Sequence, residues 1–96
     1  MGADEFFTTA RGNSAKEAFA SAVEDARYEH GHGGYTGTIA EKNGFTIIEV
    51  PKGQEPLAYA NELLDECDER IDDKWGPAGC VEISDKEFAF FGWASS

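Results

Sequence analysis

Thr36-Gly37-Thr38-Ile39-Ala40-Glu41-Lys42, Asn43-Gly44 and Phe45-Thr46-Ile47-Ile48-Glu49-Val50 form the stretch on which the fold turns. Asn-Gly fills both central positions of a type I′ turn, where positive φ is required, and the twist of that turn suits two antiparallel strands. The flanking residues are rich in β-branched and aromatic side chains, so 36–50 reads as a β-hairpin, ended by Pro51 and Gly53.

On the N-terminal side, Ala15, Ala18, Phe19, Ala22, Val23 and Ala26 recur at three and four residues, the stripe of an amphipathic helix. Ser14 and Glu17 have the spacing of a capping box at its start, and Gly31 supplies a stop. Ahead of it, Glu5–Thr9 has the composition of a short strand closed by Gly12-Asn13. On the C-terminal side, Pro56 suits the first turn of a second helix. Leu57, Ala60, Leu64, Cys67, Ile71 and Trp75, broadened by Leu63, carry its apolar stripe as far as Gly76-Pro77. Cys80–Ser84 and Glu87–Trp93 then read as two strands about Asp85-Lys86.

The order is β-α-β-β-α-β-β. It predicts an α+β fold with a split βαβ (ferredoxin-like) arrangement, two helices covering one face of an antiparallel sheet. The chain reads as one domain, 1–96, with frayed ends. Phe88, Phe90, Phe91 and Trp93 cannot all face one way along a strand. Aromatic surface is therefore expected on the uncovered sheet face, which argues for a homo-oligomer or a partner there.

With 96 residues the chain can build a single core, and 19 Asp plus Glu against 8 Lys plus Arg give a net charge of −11. Six of the eleven excess negative charges fall between Glu55 and Lys74. Such a chain is repelled by phosphate backbones and anionic lipid, so neither direct nucleic-acid binding nor membrane binding is expected. No stretch approaches the ~18 apolar residues of a membrane span, and Met1–Glu5 lacks a signal-peptide profile. The expected location is cytoplasmic, and Cys67 and Cys80 read as thiols rather than a disulfide framework, Cys67 as a small core residue of the helix stripe and Cys80 at the start of a strand.

Both histidines lie in Glu29-His30-Gly31-His32-Gly33-Gly34-Tyr35. Glu29, His30 and His32 are suitable zinc ligands, but a site needs three or four in fixed geometry and no third histidine or cysteine pair accompanies them; no metal or cofactor is expected. Phosphate would meet the negative end of the preceding helix. Acid–base work by His30 or His32 lacks a neighbouring nucleophile. Against these stands a structural reading, in which the helix dipole favours histidine at its C-terminus and the glycines take positive φ. If the loop is functional, Arg27, Tyr28, His30, His32, Gly33, Gly34 and Tyr35 are the expected ligand or partner contacts. The outer face of the second helix offers Glu62, Asp65, Glu69 and Asp72, either a solvated surface or one that steers a basic partner.

The run from Ala26 to Lys42, Ala-Arg-Tyr-Glu-His-Gly-His-Gly-Gly-Tyr-Thr-Gly-Thr-Ile-Ala-Glu-Lys, resembles a segment of small uncharacterised proteins encoded by tailed bacteriophages, with similarity from roughly Arg11 to Lys42. The resemblance implies a setting in the host cytoplasm and no mechanism. The expected function is that of a small acidic, non-enzymatic binding protein, a phage accessory or anti-defence factor that blocks a host protein or sequesters a small nucleotide-type ligand. The alternative is a small hydrolase acting on a nucleotide through His30 and His32.

Overall fold

A computed structural model of the protein describes residues 3–30, 38–73 and 75–95. Strand β1 (Ala3–Arg11) leads into helix α1 (Ala15–His30), β2 (Phe45–Ile47), α2 (Pro56–Asp65), β3 (Ala78–Ser84) and β4 (Glu87–Ser95). The α+β class and the split plan hold, with both helices laid on a four-stranded mixed sheet of order β1-β4-β3-β2.

Several elements form for the local reasons expected. The Ser14 hydroxyl accepts the Glu17 amide at 3.2 Å, so α1 starts at its cap. Ala18, Ala22 and Val23 are buried on the expected stripe. β3 and β4 form the C-terminal hairpin, antiparallel from Ser84 opposite Glu87 to Gly79 opposite Phe91, with an irregularity between Glu82 and Ser84. β4 also pairs antiparallel with all of β1, from Ala3 opposite Ser95 to Arg11 opposite Glu87.

The central hairpin is corrected. Thr38 caps a single 3-10 turn at Ile39–Glu41, its hydroxyl accepting the Ala40 amide at 3.2 Å; Thr36 and Gly37 lie outside the described residues. β2 instead pairs parallel with β3, Phe45 opposite Ala78 and Ile47 opposite Cys80, and Ile48 extends the ladder by donating to the Cys80 carbonyl at 2.8 Å. Burial decides the contest. An arm over 38–42 would bring one large apolar residue, Ile39, which is buried beside α1, whereas β3 presents Ala78, Cys80 and Val81, all buried.

The helices lie on opposite faces, which corrects the single-face arrangement, and the sheet is mixed rather than antiparallel. α1 packs through Ala18, Ala22 and Val23 against Phe6, Cys80, Phe88 and Phe90. α2 packs through Ala60, Leu63 and Leu64, with Ile71 beyond it, against Val81, Ala89 and Phe91. Side chains alternate along β4, so the two sets occupy the two faces. The cause is topological. β1, β2 and β3 share one direction; β1-α1-β2 crosses the sheet one way and β2-α2-β3 returns the other. Parallel crossovers take a single hand, so reversing direction moves the helix to the other face. The aromatic surface expected to be open is therefore largely covered: Phe88, Phe90 and Phe91 are buried, Trp93 is partly buried, and Phe7, stacked 6.1 Å from Phe91, is half-exposed.

α2 is shorter than its apolar spacing suggests. The Asp68 amide donates to the Leu63 carbonyl and the Cys67 amide to that of Leu64, both at 3.1 Å, a Schellman closure with Cys67 left-handed at φ 52°. Cys67 is thereby exposed, not buried as expected. Ile71 still reaches the core, carried there by a turn in which Asp68 accepts the Arg70 amide and guanidinium.

Candidate functional site: a basic cleft beside α1

One flank of α1 carries Lys16, Phe19, Ala20, Val23, Glu24, Arg27 and Tyr28, residues spaced so that they fall along one edge of a 3.6-residue helix. Opposite lies the start of β2, Lys42-Asn43-Gly44-Phe45, and together they bound an open cleft of about 1000 Å³. The chain reaches this wall because the Ala78 amide donates to the Gly44 carbonyl at 3.0 Å, fixing the start of β2 on the sheet.

The floor is aromatic. Phe19 and Phe45 lie 5.1 Å apart, and both pack edge-on to buried Phe90, at 5.5 and 5.7 Å. Tyr28 stands on the rim, 91% exposed. Three of the chain's eight bases, Lys16, Arg27 and Lys42, line the cleft with one acid, Glu24. Lys16 and Arg27 are eleven positions apart, about 16 Å along the axis. Neither makes an ion pair among the described residues, so both charges are available to a ligand.

Lys42 plays a different part. It is 3% exposed, and its ammonium donates to the Gly76 carbonyl at 2.9 Å and the Asp73 carbonyl at 3.1 Å, 6.0 Å above the Phe6 ring. Burial pushes its pKa below the usual lysine value, with the Asp73 charge acting the other way. Lys42 thus ties the cleft wall to the turn before β3. A charged residue ahead of Asn-Gly reads as the polar end of a turn, and no local pattern signals this role.

The expected site residues separate in space. Arg27 and Tyr28 are exposed on the last turns of α1 and border the cleft. His30 ends α1. His32, Gly33, Gly34 and Tyr35 lie outside the described residues. Glu62 and Asp65 are exposed on α2, but Glu69 and Asp72 stand on the turn beyond it, since the helix closes early. Lys16, Phe19 and Phe45 were missed as site residues. The first two could have been found from their spacing to Arg27; Phe45 joins only through the tertiary fold.

A second cavity of about 550 Å³ lies at the other end of β2, lined by Ile47, Glu49, Cys80, Glu82 and Phe88 among others. Burial, with the Glu82 charge adding to it, pushes the Cys80 thiol up to about 11, so it stays protonated at neutral pH and is a poor nucleophile. Among the described residues no group of three or more His, Cys, Asp or Glu side chains is placed to hold a metal ion, and no helix is long and apolar enough to cross a membrane. No protein-family description, curated protein or solved structure matches the chain.

Proposed function

We propose that this is a non-enzymatic binding protein whose α1–β2 cleft captures a small anionic ligand bearing a flat ring, a nucleotide being the class that fits. The observation carrying the reading is the local reversal of charge: in a chain of net charge −11, two exposed bases, Lys16 and Arg27, and one acid, Glu24, flank an aromatic floor, while Lys42 is taken up by the cleft wall. Ring faces at Phe19, Phe45 and Tyr28 suit a base, and Lys16 and Arg27 suit a phosphate at either end. In the bacteriophage setting implied by residues 26–42, such capture would withdraw a signalling nucleotide from the host.

Calorimetric titration with adenosine and guanosine monophosphates tests the reading. Binding should weaken about tenfold in Arg27→Glu and again in Lys16→Glu, a loss of about 1.4 kcal/mol each. Lys86→Glu, at the β3–β4 turn, should leave it unchanged. The nucleotide should be recovered intact; turnover abolished by His30→Ala/His32→Ala would instead establish the hydrolase alternative. Absence of binding, or affinity indifferent to Arg27, would reject capture in this cleft.

A further inference from the structure

The other flank of α1 borders a second groove, of about 300 Å³, and its charge is opposite. There α1 contributes Asp25 and Glu29, the facing wall is β1 from Phe6 to Thr9, and Thr38 and Ile39 also border the groove. No base lines it among the described residues. β1 is nine residues long, without proline, and among the described residues it stands at the edge of the sheet with β4 as its only partner. No described residue pairs with its outer side, a row of backbone donors and acceptors, and its centre, Phe6–Ala10, carries neither a charged residue nor a proline to blunt that edge.

We infer that this groove receives an extended segment of a partner protein, added to the sheet alongside β1, with Lys or Arg at alternate positions. The spacings match. Asp25 and Glu29 are four residues apart on a helix, about 6 Å along its axis. Side chains two apart on a strand are about 6.6 Å apart and point to the same face. Two cations at positions i and i+2 of the incoming strand, both turned toward the α1 side, would each meet one carboxylate. Main-chain pairing along β1 supplies affinity, and the carboxylate pair selects the cationic pattern. Asp25 and Glu29 are exposed, so this recognition is screened by salt. The inference is independent of ligand capture on the opposite flank.

The test uses a fluorescein-labelled heptapeptide, Lys-Val-Lys-Val-Lys-Val-Lys, and its glutamate counterpart, Glu-Val-Glu-Val-Glu-Val-Glu, read by anisotropy at low salt. The lysine peptide should bind and the glutamate peptide should not. Asp25→Lys/Glu29→Lys should weaken binding about tenfold or more. Asp65→Lys, which changes the net charge but lies on α2, should weaken it less than twofold, so that general attraction to an acidic chain is distinguished from the groove. Hydrogen exchange supplies the second readout: alternate amides between Phe6 and Ala10 should gain protection on binding. Failure of the lysine peptide to bind overturns the inference, as does binding that leaves the β1 amides unprotected. Protection of those amides without peptide, growing with protein concentration, would show that a second copy takes the edge and would also overturn it.

Discussion

Lys42 shows how one buried charge can hold two segments together. The Asp73 and Gly76 carbonyls accept its ammonium, and hydrogen bonds to charged groups contribute more than neutral ones. Lys42→Met should therefore cost about 2 kcal/mol, seen in urea unfolding as a lower midpoint with an unchanged slope; an unaltered midpoint would mean that the two carbonyls find other donors. Cys80 makes a pH-dependent contribution. Its thiol has a folded pKa of about 11 against an ordinary value of 9.0. In that interval the unfolded chain has lost the proton and the folded chain keeps it, so the folded state loses stability as pH rises from 9.0 toward about 11. Cys80→Val should remove this part of the alkaline decline when melting temperatures of the two proteins are compared across the interval. Parallel curves would place the decline on other groups.

At the scale of elements, the end of α2 is the instructive case. Leu64, Cys67, Ile71 and Trp75 keep helical spacing, yet the helix closes at Asp65 and Cys67 takes the left-handed position usually given to glycine. An L-residue is strained at φ 52°, so Cys67→Gly should stabilise the protein by about 0.5–1 kcal/mol, the relief of that strain less the greater freedom of glycine in the unfolded chain. Thermal unfolding checks it; destabilisation would mean that the Cys67 side chain makes a contact worth more than the strain. Ile71 is buried although it lies beyond the helix, because the turn around Asp68 and Arg70 returns it to the core at the point a longer helix would have reached. Periodicity reports which residues are buried, and here two different backbones bury Leu64 and Ile71 at the same spacing. Asn43-Gly44 misleads in a similar way. Its turn chemistry favours a hairpin, but the preceding arm has too little apolar surface to compete with parallel pairing on β3.

At the scale of the molecule, what was legible is where local pattern and tertiary context agree. β1, α1 and the β3–β4 hairpin follow from cap, stripe and turn residues read directly. The faces occupied by the helices were not legible, because they depend on whether β2 joins β1 or β3. Once β2 pairs parallel with β3, the return crossover puts α2 opposite α1. The same event brings Phe45 against Phe19 and creates the cleft, so half of the site can be read from α1 and the other half only from the topology. Charge shows the same division: the net value of −11 states that the surface is acidic, and only the fold reveals that α1 separates a basic cleft from an acidic groove.

Ligand capture between α1 and β2 is tested most directly by recording amide ¹⁵N–¹H spectra of the labelled protein during titration with adenosine or guanosine monophosphate. The expected result is saturable shifts concentrated at Lys16–Tyr28 and Lys42–Phe45, with α2 and the β3–β4 turn unmoved. Shifts centred on α2, or none at all, would contradict it.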